Sequence, residues 1–112
     1  MTFGKVRQTA MKLPDVEEGT AYGFAAFRVR KKMFLCFRED LGAIGIPVSF
    51  DQRDAMIEED PATYFTTDHH RPYPWVLARV IKLKQAALTD LLQAAWRHAE
   101  AERKKPKRRA SR

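Results

Sequence analysis

A chain of 112 residues that is 45% hydrophobic and carries a net charge of +7 has room for one domain and one modest core. No apolar run approaches the roughly 20 residues needed to cross a bilayer, and Met1–Lys5 lacks the apolar stretch of a secretory signal. Cys36 is the only cysteine, which excludes an intramolecular disulfide and makes the cytoplasm the expected setting.

Phe3, Val6 and Ala10 recur at helical spacing and predict a short helix over residues 2–12. Pro14 ends it, because the residue before a proline avoids the helical region, and Asp15 to Gly19 reads as an acidic turn. Residues 20–29 and 33–38 then read as strands. Phe27 and Val29 alternate with Arg28 and Arg30, as a strand with one buried and one wet face would. Arg30-Lys31-Lys32 is the short connection of the expected hairpin, and since it lacks an Asn-Gly or Asp-Gly pair the register stays open. Ile44 to Val48 reads as a further strand, with Pro47 calling for a sheet edge.

Ser49 and Gln52 form a capping-box pattern for a helix over residues 50–59, which Pro61 closes. Residues 64–66 and 75–81 read as strands separated by a polar, proline-bearing loop. Leu88, Leu91, Leu92, Ala95 and Ala99 lie on one stripe of a helix over residues 85–103, and Pro106 cannot continue it. Residues 1–103 are therefore read as the domain and 104–112 as a disordered basic tail. The order of helix, strands, helix, strands, helix predicts an α+β domain whose antiparallel sheet packs against helices.

Leu13-Pro14-Asp15-Val16-Glu17-Glu18 and the hairpin Phe27-Arg28-Val29-Arg30-Lys31-Lys32-Met33-Phe34 are the first two parts of a wider pattern. The others are the helix ending in Asp60-Pro61, Thr67-Asp68-His69 before an aromatic-proline loop, and Val76-Leu77-Ala78-Arg79-Val80. Leu88-x-x-Leu91-Leu92-x-x-Ala95-Trp96-Arg97 completes it. In this order and spacing they resemble the MmcQ/YjbR family of small bacterial proteins over most of residues 3–97. The resemblance implies a CyaY/frataxin-like α+β fold, sometimes described as a double wing, and members carry a DNA-binding label. The basic extension after Arg97 departs from the family pattern.

Charge locates the candidate sites. Residues 1–96 hold 13 Lys/Arg against 12 Asp/Glu, and residues 97–112 hold 8 against 2, so the basic excess belongs to the C-terminal end. Arg28, Arg30, Lys31 and Lys32 on the hairpin could lay cations along a phosphate backbone, or serve only as solvated lysines that discourage edge pairing. Arg103, Lys104, Lys105, Lys107, Arg108 and Arg109 form a run suited to gripping polyanions without reading sequence. The expected partner is nonspecific duplex DNA, with no membrane and no cofactor. Alternatives are a protein-interaction module and, with less support, frataxin-like metal binding.

Asp68-His69-His70 has ligand chemistry, but neighbouring histidines on extended chain point apart, and a histidine that closes the turn by hydrogen bonding is the simpler expectation. Glu17-Glu18 and Glu58-Glu59-Asp60 read as turn or helix-flanking acids, because a hard cation needs several converging oxygens. Cys36 lies in an apolar strand and reads as core, as do Trp75 and Trp96. No phosphate loop, nucleophile elbow or metalloprotease helix occurs, so no catalytic residue is assigned. Arg79, set among apolar residues, calls for a carboxylate partner.

Overall fold

Thr2 starts the first helix by accepting the Lys5 N–H on its hydroxyl (3.2 Å), and α1 runs Phe3–Met11 in the computed structural model. The structure describes residues 1–104, the last three as helix backbone only. Six strands follow: β1 (Val16–Ala21), β2 (Phe24–Val29), β3 (Lys32–Arg38), β4 (Ala43–Pro47), β5 (Tyr64–Phe65) and β6 (Trp75–Arg79). They form one sheet in the order β1-β2-β3-β4-β6-β5 with every pair antiparallel. Helix α2 (Phe50–Glu59) joins β4 to β5, and α3 (Gln85–Lys104) ends the described chain.

Side-chain alternation places Phe27, Val29, Phe37, Ile44, Ile46 and Val76 on the face that meets Leu88, Leu92, Ala95 and Ala99 of α3, with Val6 and Ala10 of α1 beside them. The leucine stripe read from the sequence is thus the helical half of the core. Both halves of the capping box at Ser49 are formed: Ser49 Oγ accepts from Gln52 N–H (3.0 Å), and Gln52 Oε1 accepts from Ser49 N–H (3.3 Å). On β3, Phe34 is an extra residue between the pairs Phe27–Leu35 and Arg28–Met33. This bulge accompanies two consecutive buried side chains, Phe34 and Leu35, where strict alternation would expose one.

Several expectations are corrected. The single strand expected over residues 20–29 is two, because Tyr22 and Gly23 (φ 56° and 85°) turn the chain between Ala21 and Phe24. Glu17 and Glu18 therefore lie in β1 rather than in a turn, and Arg7 of α1 donates to both oxygens of Glu18 at 3.0 and 3.1 Å. The last expected strand stops at Arg79, and Val80–Lys82 is a 3₁₀ turn. Pro47 belongs to an interior strand. However, the β3–β4 pairing ends at Cys36–Gly45, so Pro47 has only Trp75 of β6 opposite it and the position is locally an edge. Trp75 and Trp96 are half-buried rather than core. Trp96 lies against the core and donates its indole N–H to the Pro14 carbonyl (2.9 Å).

The β2–β3 connection is also a two-residue turn, Arg30 and Lys31, with φ of 51° and 74°. Both residues are left-handed, as the favoured hairpin twist requires, but neither is glycine or asparagine. Left-handed backbone costs a residue with a Cβ about 1 kcal/mol or more, partly offset by the greater unfolded-state entropy of glycine. Lys31→Gly is therefore expected to raise the melting temperature by a few degrees in a thermal scan. No increase would mean that the turn relaxes its strain elsewhere.

Candidate nucleic-acid interface

The hairpin cations differ in their surroundings. Arg28 faces Glu17 across β1–β2 and donates to the Thr20 carbonyl at 3.4 Å. Arg30 is ion-paired with Asp15 (3.3 Å) and with Glu100 of α3 (2.8 Å). Lys31 is exposed in the turn, and Lys32 is exposed at the first position of β3. The Arg30–Glu100 pair fixes the hairpin against the C-terminal part of α3. Arg103 follows Glu100 by three residues, about 4.5 Å along a helix axis. The β2–β3 turn and the helix backbone at Arg103 and Lys104, some 70 positions apart in sequence, are therefore brought to one end of the described structure. The helix backbone carries Arg103 and Lys104; Lys105, Lys107, Arg108 and Arg109, and the expected disordered tail, lie outside the described residues.

A second polar cluster lies on the sheet face away from α3. Phe37 enters the core, so its neighbour Arg38 points to the opposite side. There its guanidinium pairs side-on with Asp40 (2.9 and 2.8 Å), lies 5.1 Å from the Phe24 ring centroid, and meets His70 Nε2 at 3.0 Å. The pairing holds the Asp40 carboxyl below the usual carboxylate range, chiefly through the Arg38 hydrogen bonds. His70 Nδ1 is 2.7 Å from the Thr67 hydroxyl. His70 thus closes its loop by hydrogen bonding, as expected, while His69 stacks edge-on to it at 5.1 Å and stays exposed. Asp68 is paired with Arg71 (3.1 Å). Among the described residues, no three His, Cys, Asp or Glu side chains are grouped to hold a metal ion.

Cys36 shares this face and is half-buried. Burial pushes its thiol up, against smaller pulls from the Gly45 backbone and Arg38, which leaves it protonated and a poor nucleophile. Gly45 pairs with it across the strands, and a Cβ there would lie 3.2 Å from Cys36 Sγ and 3.4 Å from the Trp75 ring. Among the described residues, Arg79 has no carboxylate as a hydrogen-bond partner. It donates to the Pro61 and Ala62 carbonyls (3.2 Å each) and covers the Phe65 ring at 4.2 Å. Main-chain oxygens and a ring face take the place of the expected counter-ion.

Sequence reasoning missed Arg53, the one charged side chain buried among the described residues, at 6% exposure. It extends from α2 to donate to the Arg71 and Tyr73 carbonyls (2.9 and 3.1 Å) and lies over Phe50 at 5.0 Å. No local signal marks it, since its partners come from a loop 18 and 20 positions away.

The model of the YjbR family matches residues 11–98, which is most of the chain and all six strands. The chain belongs to the YjbR family. Curated relatives include the uncharacterized protein Mb2600 of Mycobacterium bovis and the uncharacterized protein Rv2570 of Mycobacterium tuberculosis. Each is 37% identical over 54 residues, covering 47% of this chain and 42% of the relative. The chain thus spans less than half the length of the curated relatives it matches. A crystal structure of Deinococcus radiodurans protein DR2400, described with the family-model domain DUF419, superposes with a TM-score of 0.70. It covers 85% of this chain and 75% of that one at 17% identity, a likeness that establishes the fold. Over its described residues the YjbR-family chain is therefore α+β, with a six-stranded antiparallel sheet and three α-helices. Among its described residues no helix is long and apolar enough to cross a membrane.

Proposed function

We propose that this YjbR-family domain binds nucleic acid without catalysing a reaction, gripping the phosphate backbone of duplex DNA through the β2–β3 hairpin and the basic run of residues 103–109. The observation that carries this reading is the Arg30–Glu100 ion pair. It sets the turn holding Lys31 beside the helix end from which six basic residues in the seven of 103–109 continue. A cationic turn beside the point where that run begins lets both meet phosphates of the same duplex. Such contacts position a protein without reading bases, and the two hairpins would serve as its wings.

Fluorescence anisotropy with a labelled duplex tests the reading in the full chain. Each phosphate contact contributes about −0.9 to the log–log slope of affinity against salt. Changing Lys105, Lys107, Arg108 and Arg109 to Ser is expected to flatten that slope by up to about 3.6 units. Changing Arg28, Lys31 and Lys32 to Ser should remove up to about 2.7 more. An unaltered slope in the first variant, or no binding by the unaltered chain at low salt, would overturn the proposal.

A protein-interaction role has one observation in its favour. The β1–β2 turn, the β3–β4 connection and the 3₁₀ turn after β6 lie at one end of the sheet. They carry Tyr22, Leu41 and Ile81 at 96%, 38% and 80% exposure. Absence of DNA binding together with capture of a defined partner, lost on changing Tyr22 and Ile81 to Ser, would favour it.

A further inference from the structure

The segment between β5 and β6 begins and ends at one side of the sheet, yet His70 reaches Arg38 on β3, and β4 lies between β3 and β6. Residues 66–74 therefore cross the sheet face that α3 leaves uncovered. Arg53 of α2 holds the far half of the segment through the Arg71 and Tyr73 carbonyls. On the near half, Thr67 O accepts from the His70 and Arg71 N–H groups (3.0 and 2.8 Å).

We propose that residues 66–74 are a strap latched across the sheet by neutral His70, and that protonation of His70 unlatches it. The protonation state follows from the partners. A guanidinium has only donors, so His70 Nε2, 3.0 Å from Arg38 Nη1, must accept and bears no proton. The neutral ring then carries its proton on Nδ1 and donates to Thr67 Oγ1 at 2.7 Å. Adding a proton sets N–H against N–H and places a second positive charge beside Arg38.

The surrounding charges act in the same direction on balance. Burial first, then Arg38 and His69, lower the proton affinity of His70, and Asp40 opposes them. From the strap itself Asp68 and Arg71 neutralise one another. Cys36 of β3 contributes no charge while burial keeps its thiol protonated. Phe24 of β2 offers a neutral ring, and Arg53 of α2 reaches the strap only through carbonyls. Because folded His70 favours the neutral form, the unfolded chain takes up the proton first. The latch is complete above the ordinary histidine range, about 6.5, and is lost as pH falls through the depressed folded value.

Hydrogen exchange of the full chain, corrected for intrinsic rate, tests the strap. Between about pH 7.5 and about pH 5, the range over which histidine charge changes, exchange in residues 66–74 is expected to rise about tenfold, the loss of one hydrogen bond to a charged group. His70→Gln keeps an acceptor for Arg38 without titrating and should remove that pH response, while His69→Gln should retain it. Imidazole ¹⁵N shifts of the unaltered protein should show the neutral His70 proton on Nδ1, a readout independent of any variant's folding. Exchange that ignores pH, a response that persists in His70→Gln, or a neutral ring protonated on Nε2 would each refute the latch.

Discussion

Phe37→Ala is expected to remove about 3–5 kcal/mol of stability, the usual cost of deleting a fully buried phenylalanine ring. The ring is 0% exposed. It lies 5.0 Å from Phe3 and 5.2 Å from Phe27, with the Arg7 guanidinium 5.3 Å from its centroid. It therefore ties α1 to β2 and to its own strand β3, and neighbours held in a helix and a strand are poorly placed to collapse into the space. Against a total of about 5–15 kcal/mol for an ordinary domain, the variant keeps little reserve at 37 °C. Urea unfolding followed by circular dichroism should show a lower midpoint with an unaltered slope. Phe37→Leu, which retains most of the apolar volume, should cost less than half as much. A Phe37→Ala loss below about 1.5 kcal/mol would mean that the site repacks.

Arg53→Ala is the second large expected loss, about 3 kcal/mol, for a reason unrelated to apolar area. One buried nitrogen, Nη1, serves the Arg71 and Tyr73 carbonyls. Hydrogen bonds from a charged donor contribute about 1.5–3 kcal/mol each, and two acceptors would lose their donor at once. Asp54 lies 3.4 Å from Nε, and its side chain is 70% exposed, so that ion pair adds little. Arg53→Lys should recover part of the loss, since one ammonium can donate to two carbonyls but lacks the planar fork that rests on Phe50. The checks are the melting temperature and amide exchange of residues 66–74. Faster exchange there with exchange in β2–β4 preserved would place the damage in the strap. Unchanged exchange would mean that other bonds hold it.

Helices were the most legible part of the fold. A leucine stripe, a capping box and a proline each act within a few residues, so the bounds of α2 and the core face of α3 follow from local chemistry. Strand limits were harder to read. Tyr22-Gly23 turns the chain inside a run of strand-forming residues, and the only local cue is a lone glycine after an aromatic residue. Pro47 misled because the edge rule concerns hydrogen-bonding neighbours, and whether β3 extends past Gly45 is a matter of pairing. Arg79 misled for a related reason. Its apolar flanks led to an expectation of burial against a carboxylate, whereas it is half-buried and the oxygens that receive it belong to the connection between α2 and β5.

By itself the sequence determined the fold class, the family pattern, the helical core face and the concentration of positive charge after residue 96. The family pattern is a resemblance carried by the order and spacing of short motifs, and the others are carried by composition or by periodicities that need no knowledge of distant partners. Tertiary structure alone decided what the polar residues do. It joined the hairpin to the helix end through Arg30 and Glu100, suspended residues 66–74 from Arg53, and set Arg38 against His70. The strength of a hydrogen bond or ion pair depends on separation, direction and exclusion of water. For residues far apart in the chain, those quantities exist only once the sheet and helices have packed.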